Sequence, residues 1–117
     1  MGVRILVVDD DPLLAFELAE LLKEAAFDVV GPALTVSEAL RLIDTEGCDL
    51  AVLDFNLGRE VSAPIASKLR TQNLRFVALS GYTAAQLPSE FDGAPTLPKP
   101  VRGEDLIFTL HHLLRLG

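Results

Sequence analysis

The amino-acid sequence predicts an α/β fold, a doubly wound five-stranded parallel sheet with helices on both faces. Three observations carry this reading. Short apolar runs alternate with segments of helical periodicity along the chain. The runs are apolar at consecutive positions, as in strands buried on both faces of a parallel sheet. Pro95 and Pro98 flank the last run, and prolines fit only an edge strand, because they cannot donate to a ladder.

The elements follow in order. Residues 3–8 read as a strand, after which Leu14, Leu18, Leu21, Leu22 and Ala25 recur at helical spacing. Phe27-Asp28-Val29-Val30-Gly31 is a second strand, which Gly31-Pro32 should stop. Thr35-Val36-Ser37-Glu38 matches a capping box, with Val36, Ala39, Leu40 and Ile43 on one face behind it. Leu50-Ala51-Val52-Leu53 is the third strand, and residues 62–69 form a helix showing Ile65, Ala66 and Leu69 on one side. Residues 75–79 make the fourth strand and 95–98 a short fifth, expected at a sheet edge. Leu106, Leu110, Leu113 and Leu114 give the last helix its apolar face.

A chain of 117 residues fits one domain, expected over residues 1–117 with no output domain. Half of it is hydrophobic, which excludes a disordered chain. The formal net charge of −7 argues against nucleic-acid binding. No run approaches the ~20 apolar residues of a membrane span. Met1-Gly2-Val3-Arg4 leads into too short an apolar run for a signal peptide. Cys48 is the one cysteine, so an internal disulfide is impossible, and a cytoplasmic location is expected.

In such a sheet the ligand sits beyond the carboxyl ends of the strands. Asp9 and Asp10 follow the first strand, Asp54 ends the third, Ser80-Gly81 follows the fourth and Lys99-Pro100 the fifth. Three carboxylates, a hydroxyl and an ammonium should therefore converge on one rim. Clustered carboxylates suit Mg²⁺, which takes one or two of them plus waters and phosphate oxygens. An ionised aspartate can attack phosphorus to give an aspartyl phosphate, while metal, lysine and hydroxyl stabilise the transferred oxygens. A single aspartate at a strand end more often starts a turn or caps a helix. Five such positions together argue for the chemistry.

With the stretches LVVDDDP, AVLDFNLG, VALSGY and PTLPKP in this order, the chain resembles a response-regulator receiver domain, the phosphoacceptor module of two-component signalling. The resemblance covers essentially the whole chain and implies the flavodoxin-like receiver fold. It implies Asp54 as phosphoacceptor, Asp9 and Asp10 as the acid pair for Mg²⁺, and the backbone carbonyl of Asn56 as a further ligand. Ser80 and Lys99 fill the hydroxyl and lysine positions, and the Lys99-Pro100 peptide bond is expected to be cis. Asp11, followed by Pro12, reads instead as the N-cap of the first helix. Two carboxylates serve the metal and the third caps.

The pattern departs from the family in places. The position three before the lysine, aromatic in most receivers, is Thr96, so the usual aromatic switch is missing. Tyr82, two residues after Ser80, is the switch candidate; its plainer role is a half-buried ring on the sheet rim. The run Phe76-Val77-Ala78-Leu79-Ser80-Gly81-Tyr82 is similar to an alphaproteobacterial receiver subgroup with a Phe-x-x-Thr-Gly-Tyr type motif. Gly58 stands where many receivers have proline, so a looser loop is expected there. Pro88 falls within residues 83–91, where receivers place their fourth helix, and should leave that helix short or broken. His111 and His112 are neighbours on a helix and point apart, a poor metal pair. Cys48 reads as a small buried hydrophobe.

The resemblance implies a stand-alone receiver, phosphorylated at Asp54 by a histidine kinase or phosphotransfer protein. Its output would be contact with an unknown downstream protein, or phosphate buffering. It would be no enzyme beyond phosphorylating and dephosphorylating its own aspartate. A pseudo-receiver is the alternative that the intact Asp10, Asp54, Ser80 and Lys99 speak against. An aspartyl-phosphate phosphatase of the haloacid dehalogenase type would need a general acid where Asn56 stands.

Overall fold

The computed structural model describes residues 2–116. The chain runs β1 (Arg4–Val8), α1 (Pro12–Glu24), β2 (Asp28–Ala33), α2 (Val36–Thr45), β3 (Leu50–Asp54), a hairpin of β4 (Asn56–Leu57) and β5 (Glu60–Val61), α3 (Ala63–Thr71), β6 (Arg75–Ser80), β7 (Thr96–Pro98) and α4 (Gly103–Arg115). Among the described residues the main sheet has five parallel strands in the order β2-β1-β3-β6-β7. The chain passes from β1 out to β2 and then crosses back to β3 on the other side of β1, the doubly wound topology, and β7, with Pro98, is an edge strand.

Alternation along the strands separates two cores. Leu6, Val8, Ala51 and Leu53 pack with Val36, Ala39, Leu42 and Ile43 of α2 and Ile65, Ala66 and Leu69 of α3. Ile5, Val7 and Val52 face the other way, onto Leu18 and Leu22 of α1 and Leu106, Leu110 and Leu113 of α4. Each fully buried Leu, Ile or Val contributes ~1.5–3 kcal/mol of transfer free energy, which is why consecutive apolar residues are required. Of the α1 positions read as periodic, Leu14 is 45 % exposed and lies beside the site rather than in the core.

Local signals set the helix starts. Asp11 caps α1, its Oδ1 accepting the N–H groups of Leu13 at 3.0 Å and Leu14 at 3.4 Å, with Pro12 in the first turn. Asp11→Ala should therefore cost ~1 kcal/mol. A melting temperature lower by roughly 4 °C is expected, read by thermal denaturation. At α2 the capping box is half realised. Thr35 Oγ1 accepts the Glu38 N–H at 3.2 Å, but the Glu38 carboxylate reaches the N–H of Leu34 at 2.9 Å.

Three sequence expectations need correction or detail. Gly31-Pro32 does not stop β2, which continues to Ala33 through an irregularity opposite Leu6 and Val8. Gly31 turns there at φ +90° with a cis bond to Pro32, and an added Cβ would meet the Ala33 nitrogen at 2.7 Å. Because β2 is a sheet edge, Pro32 can sit in it without breaking a ladder. The loop around Gly58 is not loose: β4 and β5 pair as an antiparallel hairpin. Gly58 has φ +66° at the first central turn position, where glycine carries no steric cost. Residues 83–91 form no α-helix, only two single 3₁₀ turns, Ala84–Gln86 and Ser89–Phe91, separated by Pro88. Cys48 is partly buried against the α2/α3 core, and burial pushes its thiol up to about 11. No helix among the described residues is long and apolar enough to cross a membrane.

Candidate functional site

Parallel strands bring their carboxyl ends to one rim. Asp9 follows β1 and is 3 % exposed, Asp54 closes β3 at 2 %, and Ser80 closes β6 at 1 %. Asp10 is exposed beside them. One carboxylate oxygen from each of Asp9, Asp10 and Asp54 lies within 4.8 Å of the others. Lys99, just beyond β7, places Nζ 2.6 Å from Asp54 Oδ1. Its backbone N–H donates to the Ser80 carbonyl at 3.2 Å, and its peptide bond to Pro100 is cis. The five residues read from strand ends thus meet in one place.

Two buried carboxylates so close are electrostatically costly. Burial pushes the Asp54 carboxyl above its ordinary range, Lys99 pulls it down, and the charge of Asp10 adds to the rise. Burial also raises Asp9, against the N–H of Asp11 that donates to its Oδ1 at 2.9 Å, and Asp54 raises it further. Asp54 Oδ1 is buried, and the Lys99 ammonium at 2.6 Å is the charge set against it. An all-oxygen donor set of three converging carboxylates, two of them buried, fits a hard divalent cation.

A raised carboxyl pKa has a defined sign. Without a cation, Asp9 and Asp54 stabilise the fold fully below the unfolded value of about 3.9, and that contribution is lost as pH rises through their raised values. In chelator, Asp54→Asn should melt above the parent chain at neutral pH, with the gap closing as pH falls. Melting curves across a pH series measure this. A gap that widens toward acid would reverse the assignment.

The remaining expected residues are nearby in different roles. Asn56 is exposed at the start of β4, with its N–H directed to favour ionised Asp54. Ser80 Oγ accepts the Tyr82 N–H at 2.9 Å. Tyr82 is 51 % exposed, and its ring meets Phe55 edge-on at 6.0 Å. Thr96 lies in β7 opposite Ala78. His111 stands away from the rim on α4, its ring 5.4 Å from Phe27. An apolar groove of about 660 Å³, walled by Leu14, Leu18, Leu21, Pro100 and Val101, opens beside Asp9 and Lys99.

Sequence reasoning missed Ser62, Phe55 and Phe91. Ser62 stands at the N-cap position of α3, yet its N–H (2.9 Å) and hydroxyl (3.3 Å) both donate to the Phe55 carbonyl, tying down the chain just after Asp54. Phe55 and Phe91 meet at 5.3 Å, a contact between residues far apart in sequence.

Residues 5–111 match the response regulator receiver domain family. The transcriptional regulatory protein PdtaR of Mycobacterium tuberculosis is 29 % identical over 108 residues, covering 89 % of this chain and 53 % of PdtaR. The chain thus spans about half the length of the curated relatives it first matches. SdrG of Sphingomonas melonis, solved in solution, superimposes with a TM-score of 0.80 at 35 % identity, covering 97 % of each chain. A Burkholderia pseudomallei response regulator, crystallised with a phosphorylated aspartic acid, a calcium ion and citrate, gives 0.81 at 27 % identity over 93 % of this chain and 66 % of that one. Strand order, the acid cluster at the strand ends and the match along residues 5–111 agree: this chain belongs to the response regulator receiver domains of two-component systems.

Proposed function

We propose that the chain accepts a phosphoryl group on Asp54 in a Mg²⁺-dependent reaction and passes the signal on by protein contact. The observation that carries this is Asp54 itself: buried at the end of β3, its carboxylate beside those of Asp9 and Asp10, with Lys99 Nζ 2.6 Å from Oδ1. The phosphorylated aspartic acid of the Burkholderia relative supports the same chemistry here. Asp9, Asp10, Asp54 and the Asn56 carbonyl would hold Mg²⁺, which supplies charge neutralisation for the phosphoryl oxygens when bound. Lys99 Nζ would balance the remaining negative charge, and Ser80 would donate its hydroxyl to the phosphoryl group. One Asp54 oxygen bonds to phosphorus as the donor's P–O or P–N bond breaks and its leaving group departs.

The donor would be the phosphohistidine of a histidine kinase or phosphotransfer protein, in the cytoplasm. The Sphingomonas source of SdrG supports the alphaproteobacterial subgroup, and Tyr82, whose N–H donates to Ser80 Oγ, would be its switch. Catalysis would be limited to the gain and loss of its own phosphoryl group. Incubation with acetyl phosphate and Mg²⁺ should add one acid-stable, base-labile phosphoryl group per chain by intact mass. A chain that stays unmodified with both small donors and phosphorylated kinase rejects the reading.

A further inference from the structure

The segment joining β6 to β7 is held in an unusual way. From Thr83 to Ala94 the backbone–backbone hydrogen bonds, Gln86 to Thr83, Leu87 to Ala84, Phe91 to Pro88, Asp92 to Ser89 and Ala94 to Phe91, are all internal. Among the described residues, the hydrogen bonds reaching residues 83–93 from beyond the β6–β7 segment come from one side chain. Arg70, in the last turn of α3, donates from Nε to the Glu90 carbonyl at 2.6 Å and from Nη2 to the Asp92 carbonyl. The same guanidinium lies 5.7 Å from the centre of the Phe76 ring. Phe76 meets Phe91 edge-on at 5.9 Å, and Phe91 meets Phe55, the residue after Asp54, at 5.3 Å. A contiguous set of contacts therefore runs from beside the phosphoacceptor to Arg70.

We propose that Arg70 is a latch: it pins residues 87–92 and couples their release to the state of Asp54 through Phe55 and Phe91. The proposal rests on the phosphoacceptor reading above. Leu87 and Phe91 are buried while residues 82–86 are exposed, so the segment divides into an anchored half and a free arm. The arm is tied to the site by the Tyr82 N–H on Ser80 Oγ and by the Tyr82 ring on Phe55. A phosphoryl group on Asp54 brings new acceptor oxygens and negative charge to that spot. Ser80 turning toward it withdraws the acceptor from Tyr82, and Phe55 loses the Tyr82 ring from its edge. The latched arrangement belongs to the unmodified state and opposes this rearrangement. Linkage then requires that weakening the latch strengthen binding of a phosphoryl mimic, and that the mimic loosen the latch.

Hydrogen exchange and beryllofluoride titration on the full chain test both halves. In Arg70→Ala, exchange of residues 87–92 should rise at least ~10-fold toward that of 83–86, and beryllofluoride with Mg²⁺ should bind ~5-fold tighter or more. Arg70→Lys, which keeps the charge but cannot make both bonds in the same fork, should fall between. Arg75→Ala, an exposed neighbour at the start of β6, should change neither reading. Unchanged exchange in Arg70→Ala overturns the latch, and raised exchange with unchanged mimic affinity overturns the coupling. A parent chain that binds no beryllofluoride overturns the phosphoacceptor reading and the coupling with it, whereas the exchange result still judges the pin.

Discussion

Asp54→Ala should abolish phosphoryl incorporation from acetyl phosphate entirely, whereas Lys99→Ala should retain some label and respond less to it. Complete loss is expected because no other side chain at the rim can replace the nucleophile. Asp9 is buried and already engaged by the Asp11 N–H, and Asp10 is exposed at the edge of the cluster. Lys99 would act differently, since it would form no bond to phosphorus. Its ammonium, 2.6 Å from Asp54 Oδ1, sets the charge of the pocket and would follow a phosphoryl oxygen when one arrives. Intact mass followed by peptide mapping measures both. Label surviving in Asp54→Ala, or mapping to His111 or His112, sinks the assignment.

Mg²⁺ should raise the melting temperature by roughly 4–8 °C at tenfold excess over its dissociation constant, which corresponds to ~1.4 kcal/mol of linkage. The folded state alone gathers Asp9, Asp10 and Asp54 within 4.8 Å, so the cation binds the native chain in preference to the unfolded one. A bound cation would also offset the burial, and the smaller carboxylate repulsion, that hold the Asp9 and Asp54 carboxyls above their ordinary range. Its effect should therefore fade as pH falls and these groups take up protons. Asp10→Ala should shrink the shift without lowering the metal-free melting temperature, because Asp10 is exposed and adds to the rise at Asp54. A melting curve indifferent to millimolar Mg²⁺ but moved strongly by zinc would overturn the oxygen-donor assignment.

Between these experiments stands the question of what the segment after Tyr82 does. Pro88 explains why no α-helix forms there, since it removes a hydrogen bond and pushes Leu87 into an extended backbone at ψ 154°. It does not explain why the segment stays in place. Arg70 and the Phe55–Phe91–Phe76 contacts do, and they bring α3, the residue after β3 and β6 onto the segment.

The sequence by itself determined the layer order, the buried strands, the Asp11 cap and the convergence of Asp9, Asp10, Asp54, Ser80 and Lys99. These are legible because strand period, capping chemistry and the topology of a parallel sheet depend on residues a few positions apart. Only the tertiary structure decided that β2 passes through Gly31-Pro32, because the tolerance of that proline depends on β2 lying at a sheet edge. It likewise decided that residues 56–61 close as a hairpin, that Ser62 spends its hydroxyl on Phe55 rather than on a cap, and that Arg70 reaches Glu90 and Asp92. A guanidinium on an exposed helix turn carries no mark of its partner in the sequence. Its partners are backbone carbonyls some twenty residues away, identical in chemistry to every other carbonyl of the chain, and only packing selects them.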